Sequence, residues 1–234
     1  MKPYYNDKWV TLYHGGCTEI VPALGMFDLV LTDPPYILDP SPQGRSEFCT
    51  EVKRLKTDDY IKLTDGFDVD GIMSGWQKHM ALFNAFCFCS NKQIPDIMNW
   101  GISKGYITTL LIWNKPNVPP FANNVWRGDA EFCVHIRQSG AYFEGDSEQK
   151  KKVVAMPRLA GTEHPTEKPL DLVSRYVQIG TKVQDIILDP YAGSGTTGVA
   201  AKRLNRRCVL IEMEEKYCEI AAKRLSQGVL TIDF

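Results

Sequence analysis

Residues 29–38 read LVLTDPPYIL, and four of them, Asp33, Pro34, Pro35 and Tyr36, bring unlike chemistries together. A short apolar run ends in a carboxylate, two consecutive prolines and an aromatic ring. Proline holds φ near −65° and pushes the residue before it into extended geometry, so the carbonyls of this turn are aimed in advance. A carboxylate and a fixed carbonyl both accept hydrogen bonds, and a tyrosine ring offers a flat face. The combination suits gripping a planar ring by an exocyclic amino group. An aspartate that merely caps a loop, with Tyr36 packed beside it, would not need the paired prolines.

A second chemical stretch lies near the other end, DIILDPYAGSGTTGVAAKRL at 185–204. A strand runs to Asp189, a tight turn follows through Pro190, Ala192, Gly193, Ser194 and Gly195, and a helix opens at Thr196. Glycine permits close backbone approach, and a helix N-terminus offers free N–H groups and a positive dipole end. Gly193, Gly195 and Gly198 satisfy G-x-G-x-x-G, so a nicotinamide oxidoreductase is one reading. Two features oppose it. The acid after the next strand, Glu212, comes only 14 positions past the last glycine, and the chain ends at Phe234 with no second mononucleotide half. Asp189 and Glu212 suit a nucleoside carrying an amino-acid tail, with Glu212 accepting from the ribose hydroxyls.

The elements that must position these residues follow from hydrophobic patterning. Strands are expected at 9–14, 27–32, 84–89, 107–113, 131–137, 185–189 and 207–211. Helices are expected at 69–82, 93–104, 168–180, 196–204 and 214–226. That alternation implies an α/β fold, a mostly parallel, doubly wound sheet of seven strands with helices on both faces. Residues 39–66 and 138–167 lack periodicity and read as long functional loops.

At 234 residues the chain suits one sizeable core, and 44% apolar with 24% charged residues is ordinary for a soluble globular protein. No apolar run is long enough to span a bilayer and the start has no signal-peptide pattern, so a cytoplasmic protein without a membrane partner is expected. Seven cysteines are scattered without a C-x-x-C pair, which argues for buried thiols in a reducing compartment and against a metal site. A net charge of −1 gives no whole-chain sign of a polyanion partner, so binding DNA would need a local basic face. Lys150, Lys151 and Lys152 with Arg158 could supply one, as could 202–207, although charge runs are commonly plain solvated surface.

With both chemical stretches in view, the sequence resembles the S-adenosylmethionine-dependent amino-methyltransferases of DNA, in the permuted β-type order with the catalytic motif first. The likeness runs through LYHGGCTEIVPALGMFDLVLTDPPY, LLIWNKPN, DAEFCVHIRQSG, HPTEKPLDLVSRYV and LDPYAGSGTTGVAAKRLNRRCVLIEMEEKYCEIAAKRL, in that order. It implies a single Rossmann-like methyltransferase domain over 1–234: a catalytic half at 1–137, a short target-recognition insert at 138–163, and a cofactor-binding half at 164–234. It departs from the family at the first turn, typically Gly-Asp, which here reads Gly15-Gly16-Cys17. The acidic contact to the cofactor's adenine is then absent or supplied by Glu19.

The resemblance implies S-adenosyl-L-methionine as cofactor and DNA as partner. Asp33 and the Pro34 carbonyl would accept from the two N–H bonds of an exocyclic amine, and Tyr36 would stack on the base. Thr166 and Lys168, at the opening of a helix, would meet the cofactor's amino-acid end, which explains a lysine where the helix dipole disfavours one. The base must leave the duplex to be reached. Residues 39–66 would then close over it, and 138–163 with Lys150–Lys152 and Arg158 would grip flanking DNA. Because that insert is short, either the target site is short or a homodimer pools contacts. In the family, Asp before Pro-Pro leans toward adenine N6 and Ser toward cytosine N4, so a site-specific adenine enzyme, as in restriction-modification, is expected, with N4-cytosine the alternative. A non-catalytic DNA-binding protein on the same fold is the third reading.

Overall fold

Leu29 and Leu31 face one side of a sheet and Val30 faces the other, and all three are fully buried. A strand buried on both faces is the mark of a parallel sheet sandwiched between helices. The computed structural model describes residues 1–37, 67–118, 126–159 and 167–227. Its strands are β1 (Tyr5–Asn6), β2 (Val10–His14), β3 (Leu29–Thr32), β4 (Asn84–Cys89), β5 (Ile107–Asn114), β6 (Ala130–Arg137), β7 (Val153–Ala155), β8 (Ile186–Asp189) and β9 (Arg207–Glu212). The helices of four residues or more are α1 (Cys17–Ile20), α2 (Val69–Gln77), α3 (Ile94–Ser103), α4 (Leu170–Gly180), α5 (Thr196–Arg203) and α6 (Glu215–Ser226).

The strands form one sheet in the order β1-β2-β9-β8-β3-β4-β6-β5-β7. Only β1 and β6 run against their neighbours. The architecture is the doubly wound, mostly parallel sheet that the patterning implies. The described sheet has nine strands where seven were expected. The two additions are edge strands of two and three residues, too short to register as periodic runs.

Alternation along each strand divides the core. Leu29, Leu31, Phe86, Phe88, Ile187 and Leu210 pack with Leu172 and Val177 of α4, Val199 of α5 and Leu225 of α6. Val30, Ala85, Cys87, Leu188 and Ile211 pack on the opposite face with Met73 and Trp76 of α2 and Ile97 and Trp100 of α3.

Helix α2 ends at Gln77, five residues short of the expected 82. The chain turns there because Phe27 N donates to His79 O at 2.8 Å, drawing residues 79 and 80 alongside the start of β3. Helix α4 begins at Leu170 with Pro169 at its N-cap, so Lys168 lies ahead of the helix rather than in its first turn. Within the expected recognition insert, Val153–Ala155 becomes the sheet edge, parallel to β5. Among the described residues no helix is long and apolar enough to cross a membrane.

Candidate active site

Strand β3 lies directly beside β8, with Val30 opposite Leu188. From β3 the chain continues toward β4, and from β8 toward β9 on the other side. A crevice opens at such a switch point, outside the carboxyl ends of the strands. The turn after β3 and the glycine loop after β8 therefore share one rim, although most of the chain separates them. Thr32 Oγ1 donates to Asp189 Oδ1 at 2.9 Å, and Thr197 Oγ1 donates to Asp189 Oδ2 at 2.6 Å. Asp189 is thus a buried clasp between β3 and the helix of the glycine loop. Burial pushes its carboxyl up to about 6, although the hydrogen bonds from Thr197 and Thr32 hold it back.

In the glycine loop, Gly193 and Gly195 have φ of 52° and 78°, a left-handed conformation that side chains disfavour. A Cβ on Gly195 would also stand 3.0 Å from the Cβ of Ala221 in α6. Glu212, at the end of β9, accepts from Gly193 N through Oε2 and from Glu214 N through Oε1, both at 2.8 Å. Ala192 N donates to Ile211 O at 2.9 Å, tying loop to strand, and Pro190 is buried. The guanidinium of Arg224 donates to Ser194 Oγ at 2.7 Å and Ser194 O at 2.9 Å, reaches Thr196 Oγ1 at 3.3 Å, and pairs with Glu167 at 2.8 Å. A carboxylate at a strand end, a glycine turn running close beside it and an open helix N-terminus fit a nucleoside with a charged tail. Glu19 lies exposed in α1.

At the turn after β3, Lys168 Nζ sits 2.5 Å from Asp33 Oδ2 and 3.3 Å from Glu131 Oε2, while Lys115 Nζ donates to Glu131 Oε1 at 3.0 Å. Acid and base alternate: Asp33, Lys168, Glu131, Lys115. The Lys168 ammonium also lies 5.1 Å from the Phe88 ring centre and 5.5 Å from that of Tyr36. Burial alone would lower the lysine's pKa, but Asp33 and Glu131 together raise it, so it stays charged. Burial pushes the Asp33 carboxyl up; Lys168 pulls it back and Glu131 adds to the push. Burial also works against the Glu131 carboxylate, but Lys168 and Lys115 bring it below its ordinary value. Asp33 Oδ1 and the Tyr36 hydroxyl, both buried, make no hydrogen bond of good geometry among the described residues, although the phenol lies close enough to Asp33 to act on its carboxyl. Burial and the nearby Asp33 carboxylate keep that phenol protonated.

The prolines are pinned from α3's side. Gln93, buried after β4, accepts from Ser90 N at 3.0 Å and donates to the Pro35 carbonyl at 2.9 Å. The turn that carries the Pro34 carbonyl is thereby tied down one residue later, at Pro35.

Of the residues that the sequence singles out, Asp33, Pro34, Pro35, Tyr36, Asp189, Gly193, Ser194, Gly195, Thr196 and Glu212 gather along the crevice. Lys168 joins them, but its ammonium meets two protein carboxylates. Thr166 and the expected closing segment 39–66 fall outside the described residues. Arg158 is near the rim, its N–H donating to Asn117 Oδ1 at 2.8 Å just beyond β5. Lys150, Lys151 and Lys152 are not at the rim. They line a cavity of about 230 Å³ with Thr109, Arg137 and Tyr176, several residues down the strands, where Lys151 pairs with Glu148. Patterning missed Glu131, Gln93, Glu167 and Arg224, since each contributes through partners far away in sequence. Thr32 and Thr197 had a signal: they are hydroxyls flanking the two motifs.

The comparisons with known proteins agree with this geometry. The family model for DNA methylases of the N6/N4 type matches residues 27–223. A type II methyltransferase of Streptococcus pneumoniae, M2.DpnII, is 30% identical, over 96% of this chain and 92% of that protein. M2.MboI of Moraxella bovis is 27% identical, over 96% and 91%. The crystal structure of the M1.HpyAVI–SAM complex superposes with a TM-score of 0.70 at 25% identity, covering 93% of this chain and 100% of that one. A nicotinamide enzyme is thereby set aside, and the protein belongs to the DNA methylase family, as an S-adenosylmethionine-dependent, site-specific amino-methyltransferase of DNA.

Proposed function

We propose that the chain methylates the N6 amine of an adenine turned out of the DNA duplex, with Asp33 as the catalytic acceptor. One observation carries this reading. The Asp33 carboxylate, at the carboxyl end of β3, has Oδ2 held by Lys168 and Oδ1 buried without a hydrogen bond of good geometry among the described residues. A buried acceptor left unsatisfied costs about 1–3 kcal/mol, and a substrate N–H would remove that cost.

The exocyclic amine is a poor nucleophile because its lone pair is delocalised into the ring. Asp33 Oδ1 accepts from one N–H and the Pro34 carbonyl from the other, which favours a pyramidal nitrogen with a localised pair. Positive charge grows on that nitrogen as it attacks, so the field of Asp33 favours the transition state over the ground state. Tyr36 stacks on the base, a contact worth about 1–3 kcal/mol against a flipping cost of a few kcal/mol. The cofactor, when bound, supplies the electrophilic methyl group. Asp189, Pro190, Ala192, Gly193, Ser194, Gly195, Thr196 and Glu212 form its side of the crevice. Adenine, rather than cytosine, is supported by an aspartate preceding the two prolines.

Arg158 at the rim contacts flanking phosphates in this reading, and Lys150–Lys152 add a more distant attraction. A homodimer pooling such contacts belongs to the same proposal, and sedimentation with and without DNA tests it. The decisive experiment is transfer of a labelled methyl group to unmethylated DNA, followed by digestion to nucleosides. Label in N6-methyladenine is expected, and label in N4-methylcytosine overturns the adenine assignment. Activity that survives Asp33→Ala overturns the role of Asp33.

A further inference from the structure

Glu131 stands in β6, opposite Trp113 of β5, one strand beyond β4 from the catalytic turn. Nothing in its sequence context marks it. Yet its two oxygens meet two lysines, Lys115 at 3.0 Å and Lys168 at 3.3 Å, and its side chain is only 24% exposed. Lys168 is shorter still to Asp33, at 2.5 Å, and its own side chain is 7% exposed. A second carboxylate so near the catalytic one is costly. An Asp33–Lys168 pair, with Lys168 buried and Asp33 27% exposed, would be neutral by itself, and adding an acid then requires Lys115 to balance it.

We propose that Glu131 is a positioning residue for methyl transfer: by sharing Lys168 with Asp33, it keeps the lysine's charge from neutralising the catalytic carboxylate and leaves Asp33 Oδ1 a stronger acceptor. This rests on the reading of Asp33 as that acceptor. A lysine bound to Asp33 alone would orient the carboxylate but draw off the electron density that the substrate amine needs. A carboxylate with no lysine would be more easily protonated, because desolvation already pushes Asp33 up and Lys168 is what pulls it back. Glu131 sets a point between those limits.

The groups facing Asp33 come from several elements. Lys168 precedes α4, Glu131 and Cys133 are on β6, Cys87 and Cys89 on β4, Asp189 ends β8, and Tyr36 belongs to the same turn. Glu131 is faced by Lys168 and Lys115, and Tyr36 lies within its field. The cysteines and Tyr36 are all pushed upward by burial and stay neutral through the working range. Beside Glu131, Asp189 is the other acid whose charge acts on Asp33.

The two variants that follow have opposite expected signs. Glu131→Gln removes a negative neighbour of Asp33 and a competitor for the Lys168 charge. The acid limb of the kcat profile then moves to lower pH, while plateau kcat falls about tenfold. Lys168→Met leaves Asp33 without its cation, and the limb moves to higher pH. Glu131→Asp keeps the charge and brings the limb back toward wild type. The thermal shift produced by S-adenosylhomocysteine, measured for each variant, is expected to persist in Glu131→Gln, which shows an intact fold and cofactor side. An acid limb unmoved or raised in Glu131→Gln overturns the proposal, as does a Glu131→Asp limb displaced as far as that of Gln. Asp33→Ala assayed in parallel separates the two readings. If it is inactive while Glu131→Gln shows no downward shift, only the role of Glu131 falls; if it is active, the functional reading falls with it.

Discussion

The hydroxyl of Thr32 donates to the carboxylate of Asp189 at 2.9 Å, across 157 residues of chain. Thr32 immediately precedes the Asp33-Pro34-Pro35-Tyr36 turn and Asp189 immediately precedes the glycine loop. A single buried hydrogen bond therefore joins the two halves of the site at the point where both leave the sheet. Asp189 also accepts from Thr197 and from Tyr191 N, so three elements are registered on one carboxylate.

Replacing Thr32 by Val keeps the shape and removes that donor. The expected result is a loss of about 1–3 kcal/mol in stability, because Asp189 is left partly unsatisfied in a buried place. Chemical denaturation measures it. The accompanying kinetic expectation is a lower kcat with little change in cofactor KM, since the shift falls on the Asp33 side of the crevice.

Asp189 also predicts a pH dependence. Its folded-state carboxyl is raised from the ordinary 3.8 to about 6 by burial. The folded state therefore binds the proton more tightly than the unfolded chain. Below the unfolded value both states are protonated and nothing is lost. As pH rises from about 4 to about 6 this residue's contribution to stability falls, and above that it is constant. Asp189→Asn abolishes the dependence, so the difference in melting temperature between wild type and variant should drift across that window and level off above it.

Gly195 and Gly75 form a contrasting pair. Gly195 has φ of 78° and no room for a Cβ, whereas a Cβ on Gly75, within α2, would meet nothing within 4 Å. Gly195→Ala is expected to destabilise by about 1–3 kcal/mol and to weaken the thermal shift by S-adenosylhomocysteine. Gly75→Ala is expected to stabilise by up to about 1 kcal/mol with unchanged activity. Melting curves with and without ligand distinguish the two.

Lys150, Lys151 and Lys152 lie away from the crevice rim, so their contribution to DNA binding is expected to be electrostatic and insensitive to sequence. Replacing all three by Ala should reduce the slope of log affinity against log salt by less than the roughly 2.7 that three direct phosphate contacts would account for. Titration of a labelled duplex at several salt concentrations gives the slope. A full loss of that size would place all three lysines on phosphates.

Much of the scaffold was legible beforehand because buried parallel strands are short, continuous and apolar. LVLT, NAFCFC, IILD and RCVLIE each appear as such. The edge strands were not legible, since two or three residues carry no periodicity. The end of α2 was set by a tertiary hydrogen bond to Phe27, and Lys168 was displaced from a helix terminus because Pro169 caps the helix one residue later.

By itself the sequence determined the order of the two motifs, the stiffness that successive prolines impose on the turn after Asp33, and the glycines that let the second loop bend. Those properties are local, fixed by covalent geometry and the absence of a Cβ. Only the tertiary structure decided which charges surround Asp33. Lys168, Glu131 and Lys115 arrive from separate strands and loops, and their electrostatic effect depends on ångström-scale separations in a buried site, which no spacing along the chain encodes.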